Sequence, residues 1–218
     1  MTLDELLTGM EQGSVTRGRA EEFLRGWGFV EVGYHRIDLH RETRSALPEV
    51  VFGLPKTADQ LDEIVGWFVS RELPLLATKV DPSKAEPIVR KYAGVEYRAS
   101  GALLMRGRSR RPSAGSVGVL TAGSSDVPVA EEAAGTLEFF GLEVARSYDC
   151  GVAGLHRLLA RGETISAADV LIVVAGMEGA LPSVVGGLFR QPIVAVPTSV
   201  GYGASFEGLA ALLAMMNA

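Results

Sequence analysis

Four apolar runs in the second half of the chain, each followed by a helical pattern, set the narrowest limits on what it can fold into. They are Val117–Thr121, Glu143–Tyr148, Asp169–Ala175 and Ile193–Val196. The third is a near-continuous stretch of valine, leucine and isoleucine, as in a strand buried on both faces. Helical patterns follow over about 128–140, 153–160, 181–189 and 206–216, with Gly141 placed to end the first. Strand and helix in alternation predict a parallel sheet with helices on both faces. Right-handed crossovers then bring all four strand-to-helix loops to one edge of that sheet.

Those loops are Thr121–Asp126, Asp149–His156, Ala175–Leu181 and Thr198–Ser205, each rich in Gly, Ala or Ser. Small residues in the same register at four points let a ligand approach main-chain amides and helix N-termini. In the first loop Ser124 and Ser125 add hydroxyl donors, and Asp126 can cap the helix or hold a ribose or a metal; a plain capped turn is the alternative. His156 is the natural proton-transfer candidate, since histidine is the residue type most used for general acid–base work; the alternative is a helix residue bonded to its own loop. Asp149 follows the second strand, where dinucleotide folds keep a ribose-binding acid. Glu178 lies between Gly176-Met177 and Gly179 and is hard to explain as a cap; a ribose, a metal or a proton are its open partners. Cys150 reads as a small buried residue rather than a nucleophile. Gly115-Ser116-Val117-Gly118 precedes the first strand instead of following it, which argues against a hydride-transferring dinucleotide fold.

The 218 residues carry one cysteine and a formal charge of −5, which exclude a disulfide framework and give no bulk attraction for nucleic acid. The first residues, Met1-Thr2-Leu3-Asp4-Glu5, lack a signal-peptide pattern, and no apolar run reaches membrane-spanning length. The expectation is a cytoplasmic protein without membrane or nucleic-acid partners. In the first half, Thr2 and Glu5 have capping-box form and predict a short helix to about Gln12. A second helix is predicted over 14–27, with Ala20, Phe23, Leu24 and Trp27 on one face, and a strand over 29–32. Pro48–Gly53 reads as a cleaner strand. Thr57 and Gln60 form another capping box and open a helix with Leu61, Ile64, Val65 and Phe68 inward. Leu75–Thr78 is a buried strand, and Asp81-Pro82 opens a helix to about Tyr92. His35, Arg36, His40, Arg41 and Arg44 form a basic stretch without periodicity, read as a solvated loop with a phosphate or carboxylate clamp as the alternative. Arg106–Pro112 reads as a basic linker, dividing a smaller N-terminal α/β domain with two leading helices (1–112) from a nucleotide-binding domain (113–218).

Thr121-Ala122-Gly123-Ser124-Ser125-Asp126 resembles the Gly-Ser-x-Ser-Asp loop of the PurE-type aminoimidazole ribonucleotide carboxylases and mutases. His156-Arg157, Ala175–Pro182 and Pro197 follow in the same order. Two features depart from PurE: the third loop has no histidine before Leu181-Pro182, and about a hundred residues precede the domain. Both match a sister family, and the chain is identified as a member of the LarB family of pyridinium-3,5-biscarboxylic acid mononucleotide synthases. In the first half the resemblance rests on His35-Arg36, Pro48–Gly53, Lys56-Thr57 and Leu76–Val80. In the second it rests on the Ser-Ser-Asp loop, Gly151–Arg157, Gly176–Gly179 and Pro197–Gly203.

The resemblance implies a PurE-like, flavodoxin/Rossmann-like C-terminal domain. It implies carboxylation of nicotinic acid adenine dinucleotide by CO2 or bicarbonate and hydrolysis of its phosphoanhydride with release of AMP, the first step of nickel-pincer cofactor synthesis. Mg2+ is the expected metal, with unknown ligands and no tightly bound organic cofactor. His156, Arg157, Asp126 and Glu178 are the implied catalytic set. Thr121, Gly123, Ser124, Ser125, Asp126, Asp149, Gly154, Gly176, Met177, Glu178, Gly179, Ser199, Gly201 and Tyr202 are the implied substrate contacts. A homo-oligomer, up to the octamer of PurE-like domains, is also implied. The family's ring-attacking cysteine follows a Met-x-Asn segment, whereas this sequence reads Met215-Met216-Asn217-Ala218. The nucleophile is therefore not carried over to Cys150, and the expectation is ligand binding with impaired carboxylation.

Overall fold

A computed structural model describes residues 3–25, 28–38, 41, 47–109, 113–200 and 205–217. Thr2, Trp27, His40, Arg44, 110–112, Gly201, Tyr202 and Gly203 lie outside the described residues. Two short helices, α1 (Leu3–Glu11) and α2 (Arg17–Arg25), lead the chain; α2 begins three residues later than the periodicity predicts. A hairpin of β1 (Val30–Val32) and β2 (His35–Ile37) follows. His35 and Arg36 thus belong to a strand, which corrects the loop reading. Arg36 faces Glu31 at 3.3 Å and covers the Phe29 ring, while Ile37 points into the core.

The next sheet has the order β3 (Val51–Phe52), β4 (Leu75–Thr78), β6 (Leu103–Arg106), β5 (Val95–Arg98). Only β3 and β4 are parallel; β6 runs antiparallel to both neighbours. The pair β5–β6 is absent from the sequence reading, and Arg106, taken there as the start of the linker, closes β6 and donates from Nη1 to the Leu73 carbonyl. Helix α3 (Ala58–Ser70) opens on the predicted capping box, with Thr57 accepting from the Gln60 amide. Its Leu61, Ile64, Val65 and Phe68 join α4 (Pro82–Lys91) over one face of this sheet, against Val51, Leu75, Ala77 and Leu104.

The second sheet is fully parallel, in the order β8 (Glu143–Ser147), β7 (Ser116–Thr121), β9 (Val170–Ala175), β10 (Ile193–Pro197). This 2-1-3-4 order is flavodoxin-like, and ligands of such sheets bind outside the strand C-termini where the order reverses. Alternate residues feed opposite layers, as the period of two requires. Val117, Val119 and Val174 pack on Ala130 and Ala134 of α5 (Val127–Phe139). Leu120, Leu171, Val173 and Ala175 pack on α6 (Leu155–Leu159), α7 (Gly162–Ser166) and α8 (Leu181–Leu188). The helix expected over about 153–160 is α6, and α7 is a further short helix that the sequence reading does not include. A short 3-10 turn, Phe206–Gly208, precedes the last helix, α9 (Leu209–Met215).

Helix α5 is shared. Its C-terminal Phe139 and the following Phe140 are buried against Leu76, Leu103 and Met105 on the second face of the N-terminal sheet. Arg98 reaches Glu138 at 2.5 Å and Lys79 reaches Glu132 at 2.6 Å across the same boundary. The layers run α3/α4, mixed sheet, α5, parallel sheet, α6–α8. Among the described residues no helix is long and apolar enough to cross a membrane.

Candidate functional site

The first loop leaves β7 through Ala122 and Gly123 and turns as a 3-10 segment, Ser124–Asp126, into α5. Asp126 is 4% exposed and both its carboxylate oxygens are engaged by the protein. The Gly123 N–H donates to Oδ2 at 3.0 Å, and the Thr198 hydroxyl donates to Oδ1 at 2.7 Å. Asp126 therefore ties the first loop to the end of β10. With the Gly123 amide taken, the donors left at the turn among the described residues are the main-chain N–H groups and hydroxyls of Ser124 and Ser125.

One cavity of about 180 Å³ is lined by all four loops. Ala122, Gly123, Ser125 and Asp126 come from the first, Gly151–Ala153 and Arg157 from the second and its helix, Ala175–Glu178 from the third and Val200 from the fourth. The expected convergence of the loops is thus present. Its volume lies below the roughly 300–1,000 Å³ of pockets that enclose a drug-sized ligand. A volume of this size suits a ring, or a phosphate with its sugar, and not a whole dinucleotide.

The glycines divide by role. A Cβ on Gly151 would come within 2.6 Å of the Ala122 carbonyl, and one on Gly176 would collide with the carbonyl of Val200. Gly179, at φ +66, backs onto Ala211. Gly151 and Gly176 let the loops close on one another and Gly179 lets the third loop lie on α9, so their smallness does not of itself mark ligand contact. Gly123 differs, since a Cβ there would meet nothing nearer than Ser125 Oγ at 3.6 Å. It lines the cavity and has room beside it.

Arg157 is the one cation among the described lining residues. Its guanidinium lies over Gly154, where a Cβ would stand 2.8 Å from Nε, and it is ion-paired with Asp149. His156 is exposed and does not line the cavity, and Leu158 is the residue that α6 buries. Asp149 is exposed and does not line the cavity, and Thr121 is fully buried. The Thr121 hydroxyl accepts from the Asp149 N–H at 3.0 Å, so its contact is to protein. Gly154 is buried beneath Arg157, Ser124 lies beside the lining, and Ser199 faces a separate depression with Phe206–Leu209 and Leu212. Met177 keeps a left-handed backbone, φ +51, on the exposed rim. The candidates that reach the cavity are Gly123, Ser125, Asp126, Arg157, Gly176, Met177 and Glu178. The loop-to-loop contacts of Gly151 and Thr198 were missed, and nothing in the spacing could have shown them.

Cys150 is buried, with its thiol directed to the Tyr148 carbonyl at 3.5 Å, and burial pushes its pKa up. A neutral, enclosed thiol is a packing residue. No cluster of three or more His, Cys, Asp or Glu able to hold a metal occurs among the described residues. Glu178 is exposed on the rim, and among the described residues its carboxylate has no hydrogen-bond or ion-pair partner. One free carboxylate suits a magnesium ion shared with a ligand's phosphates and water, not a cage made by protein alone.

Residues 29–108 match the family model for the LarB/PurE-like N-terminal domain, and residues 116–218 match that for AIR carboxylase. An uncharacterized protein of Methanocaldococcus jannaschii, MJ0165, is 36% identical over 221 residues, which cover 97% of this chain and 86% of that relative. The N5-carboxyaminoimidazole ribonucleotide mutase of the same organism is 37% identical over 102 residues, 45% of this chain and 60% of the mutase.

Proposed function

The chain belongs to the LarB family, with its N-terminal domain followed by a PurE-like carboxylase domain, and on that premise we propose that the four-loop cavity binds nicotinic acid adenine dinucleotide for carboxylation of its pyridinium ring. The family's domains make the chain a carboxylase-type enzyme. The observation that carries the finer reading is the pairing of Ser125 donors with Arg157 across one small cavity at the strand C-termini. Serine amides and hydroxyls at the start of α5 suit a phosphate through hydrogen bonds and the helix dipole. Arg157 supplies a two-pronged donor for a second phosphate oxygen or for the nicotinate carboxylate.

An electron-poor pyridinium does not attack CO2. Addition of a thiolate to the ring would make a neighbouring carbon nucleophilic; that carbon would bond CO2, a ring proton would leave, and departure of the thiolate would restore aromaticity, but among the described residues lining the cavity there is no cysteine to supply that thiolate. Cys150 is not assigned this step, since it is enclosed by protein and does not line the cavity. Magnesium, when bound, would offset phosphate charge, and Glu178 is the residue placed to share it. Hydrolysis of the phosphoanhydride, with AMP as the second product, belongs to the same reading. A homo-oligomer is also proposed, because Leu209, Leu212, Leu213 and Met216 leave an exposed apolar face at the last helix.

Similarity to the mutase favours a second reading, turnover of aminoimidazole ribonucleotide. Calorimetry with nicotinic acid adenine dinucleotide and with aminoimidazole ribonucleotide separates the two. The first should bind, and Ser125→Ala should weaken it by about 1–2 kcal/mol through loss of a charged hydrogen bond. Binding and turnover of the ribonucleotide, with no affinity for the dinucleotide, would sink the proposal.

A further inference from the structure

We propose that Asp149 is a positioning residue that aims Arg157 into the cavity, and is not the ribose ligand that its place after β8 suggests. The inference rests on reading the cavity as a site for a phosphate-bearing ligand. The Asp149 carboxylate lies outside the cavity wall, and its one described partner is Arg157 Nη1. Its main chain is pinned to the end of β7 from two sides. The Asp149 N–H donates to the Thr121 hydroxyl at 3.0 Å, and the next N–H, of buried Cys150, donates to the Thr121 carbonyl at 2.9 Å. This holds Asp149 at φ +57, a left-handed conformation that few residues other than Gly, Asn and Asp tolerate.

The turn directs the carboxylate toward Arg157, eight residues on, at the start of the second-loop helix. Gly154 forms the floor beneath the guanidinium, with room that any larger residue would fill. Arg157 is therefore held by the Asp149 carboxylate through Nη1, with Nε and Nη2 over the Gly154 floor, and in this position the side chain lines the cavity. Without Asp149, a 41% exposed arginine would have many rotamers in water. An ion pair this exposed adds little to folding. The effect of losing it should appear in ligand affinity and in the order of the side chain, while stability stays nearly constant.

Asp149→Asn keeps a residue that accepts the left-handed turn and removes the charge. Calorimetry on the full chain with nicotinic acid adenine dinucleotide, and with inorganic pyrophosphate as a simpler probe, should show affinity reduced several-fold, up to about tenfold, the scale of ordering one long side chain. Arg157→Gln should weaken binding at least as much, and the double variant should be no weaker than Arg157→Gln. The Arg157 Nε–H resonance, assigned by its loss in Arg157→Gln, should have a high 15N heteronuclear NOE in the parent and a much lower one in Asp149→Asn. An unchanged NOE, or affinity losses that add in the double variant, would overturn the positioning role. If the parent binds neither probe, the cavity reading fails and the NOE still decides whether Asp149 orders Arg157.

Discussion

Asp126 illustrates how a residue type that suggests chemistry can instead hold a site together. Its two oxygens bond the Gly123 amide and the Thr198 hydroxyl, so the carboxylate joins the first and fourth loops before any ligand arrives. Asp126→Ala leaves two donors near the core without acceptors. We expect a loss of about 2–3 kcal/mol in urea unfolding, the cost of buried unsatisfied groups; a residue with a purely catalytic task would leave the unfolding curve in place. The glycines make a matching pair of predictions. Gly176→Ala drives a methyl group onto the Val200 carbonyl and within 2.8 Å of Thr198 Oγ1. The fourth loop must then retreat, with a loss of about 1–3 kcal/mol from overpacking. Gly123 is extended, φ −127, with open space beside it. Gly123→Ala should leave stability within about 0.5 kcal/mol while dinucleotide affinity falls, because the methyl enters the ligand's space. Equal stability losses in the two variants would contradict this division of roles.

At the scale of elements, the parts legible in the sequence were those with a local signature. The Thr57–Gln60 capping box and the 3.6-residue spacing of Leu61, Ile64, Val65 and Phe68 give α3 its start and its buried face without reference to the rest of the chain. The apolar runs of β7 and β9 did the same for the parallel sheet. The β5–β6 pair was not legible, because its connection, Ala99–Ala102, carries no Asn-Gly or Asp-Gly signal and puts Ala102 in the left-handed position, φ +52. For the site, loop order was legible but facing was not: a His-Arg pair opening a helix does not say which of the two looks inward. The acidic face of α5 was equally silent, yet it holds the parallel sheet and the mixed sheet together. Glu131 accepts from Arg146 Nε at 2.9 Å and from the Tyr148 hydroxyl at 2.5 Å, and Glu138 accepts from both Arg146 and Arg98. Burial pushes both carboxyls upward, but these hydrogen bonds outweigh it and leave both below the ordinary value of 4.5. A carboxyl depressed in the folded state stabilises above its unfolded pKa, and that contribution disappears as pH falls through the folded value. Glu138→Gln should therefore be less stable than the parent at neutral pH, and the two should converge between roughly pH 5 and pH 2. Parallel stability curves over that range would show that Glu138 is not among the titrating clamps.

For the whole molecule, the position of α5 decides how the two sheets unfold. Ala130 and Ala134 serve the parallel sheet, while Phe139 and Phe140 fill the second face of the mixed sheet, so neither sheet can expose its α5-facing side without uncovering apolar surface of the other. Gly101 and Gly135 bring the backbones close enough that a Cβ on either would meet its neighbour across the boundary. Such an interface predicts one cooperative transition in place of two. Both tryptophans, Trp27 and Trp67, precede the parallel sheet in the chain, so fluorescence reports the first half while helix content reports all of it. Leu120 is fully buried on the far side of the parallel sheet, against α6–α8. Leu120→Ala should cost about 2–5 kcal/mol. If α5 couples the halves, the tryptophan transition must move to lower denaturant together with the circular-dichroism transition, although the substitution lies in the other sheet. A fluorescence midpoint that stays at its parent value while the circular-dichroism curve splits would mean that the mixed sheet keeps its fold after the parallel sheet has lost its own, and that α5 can leave Leu76, Leu103 and Met105 without bringing them down.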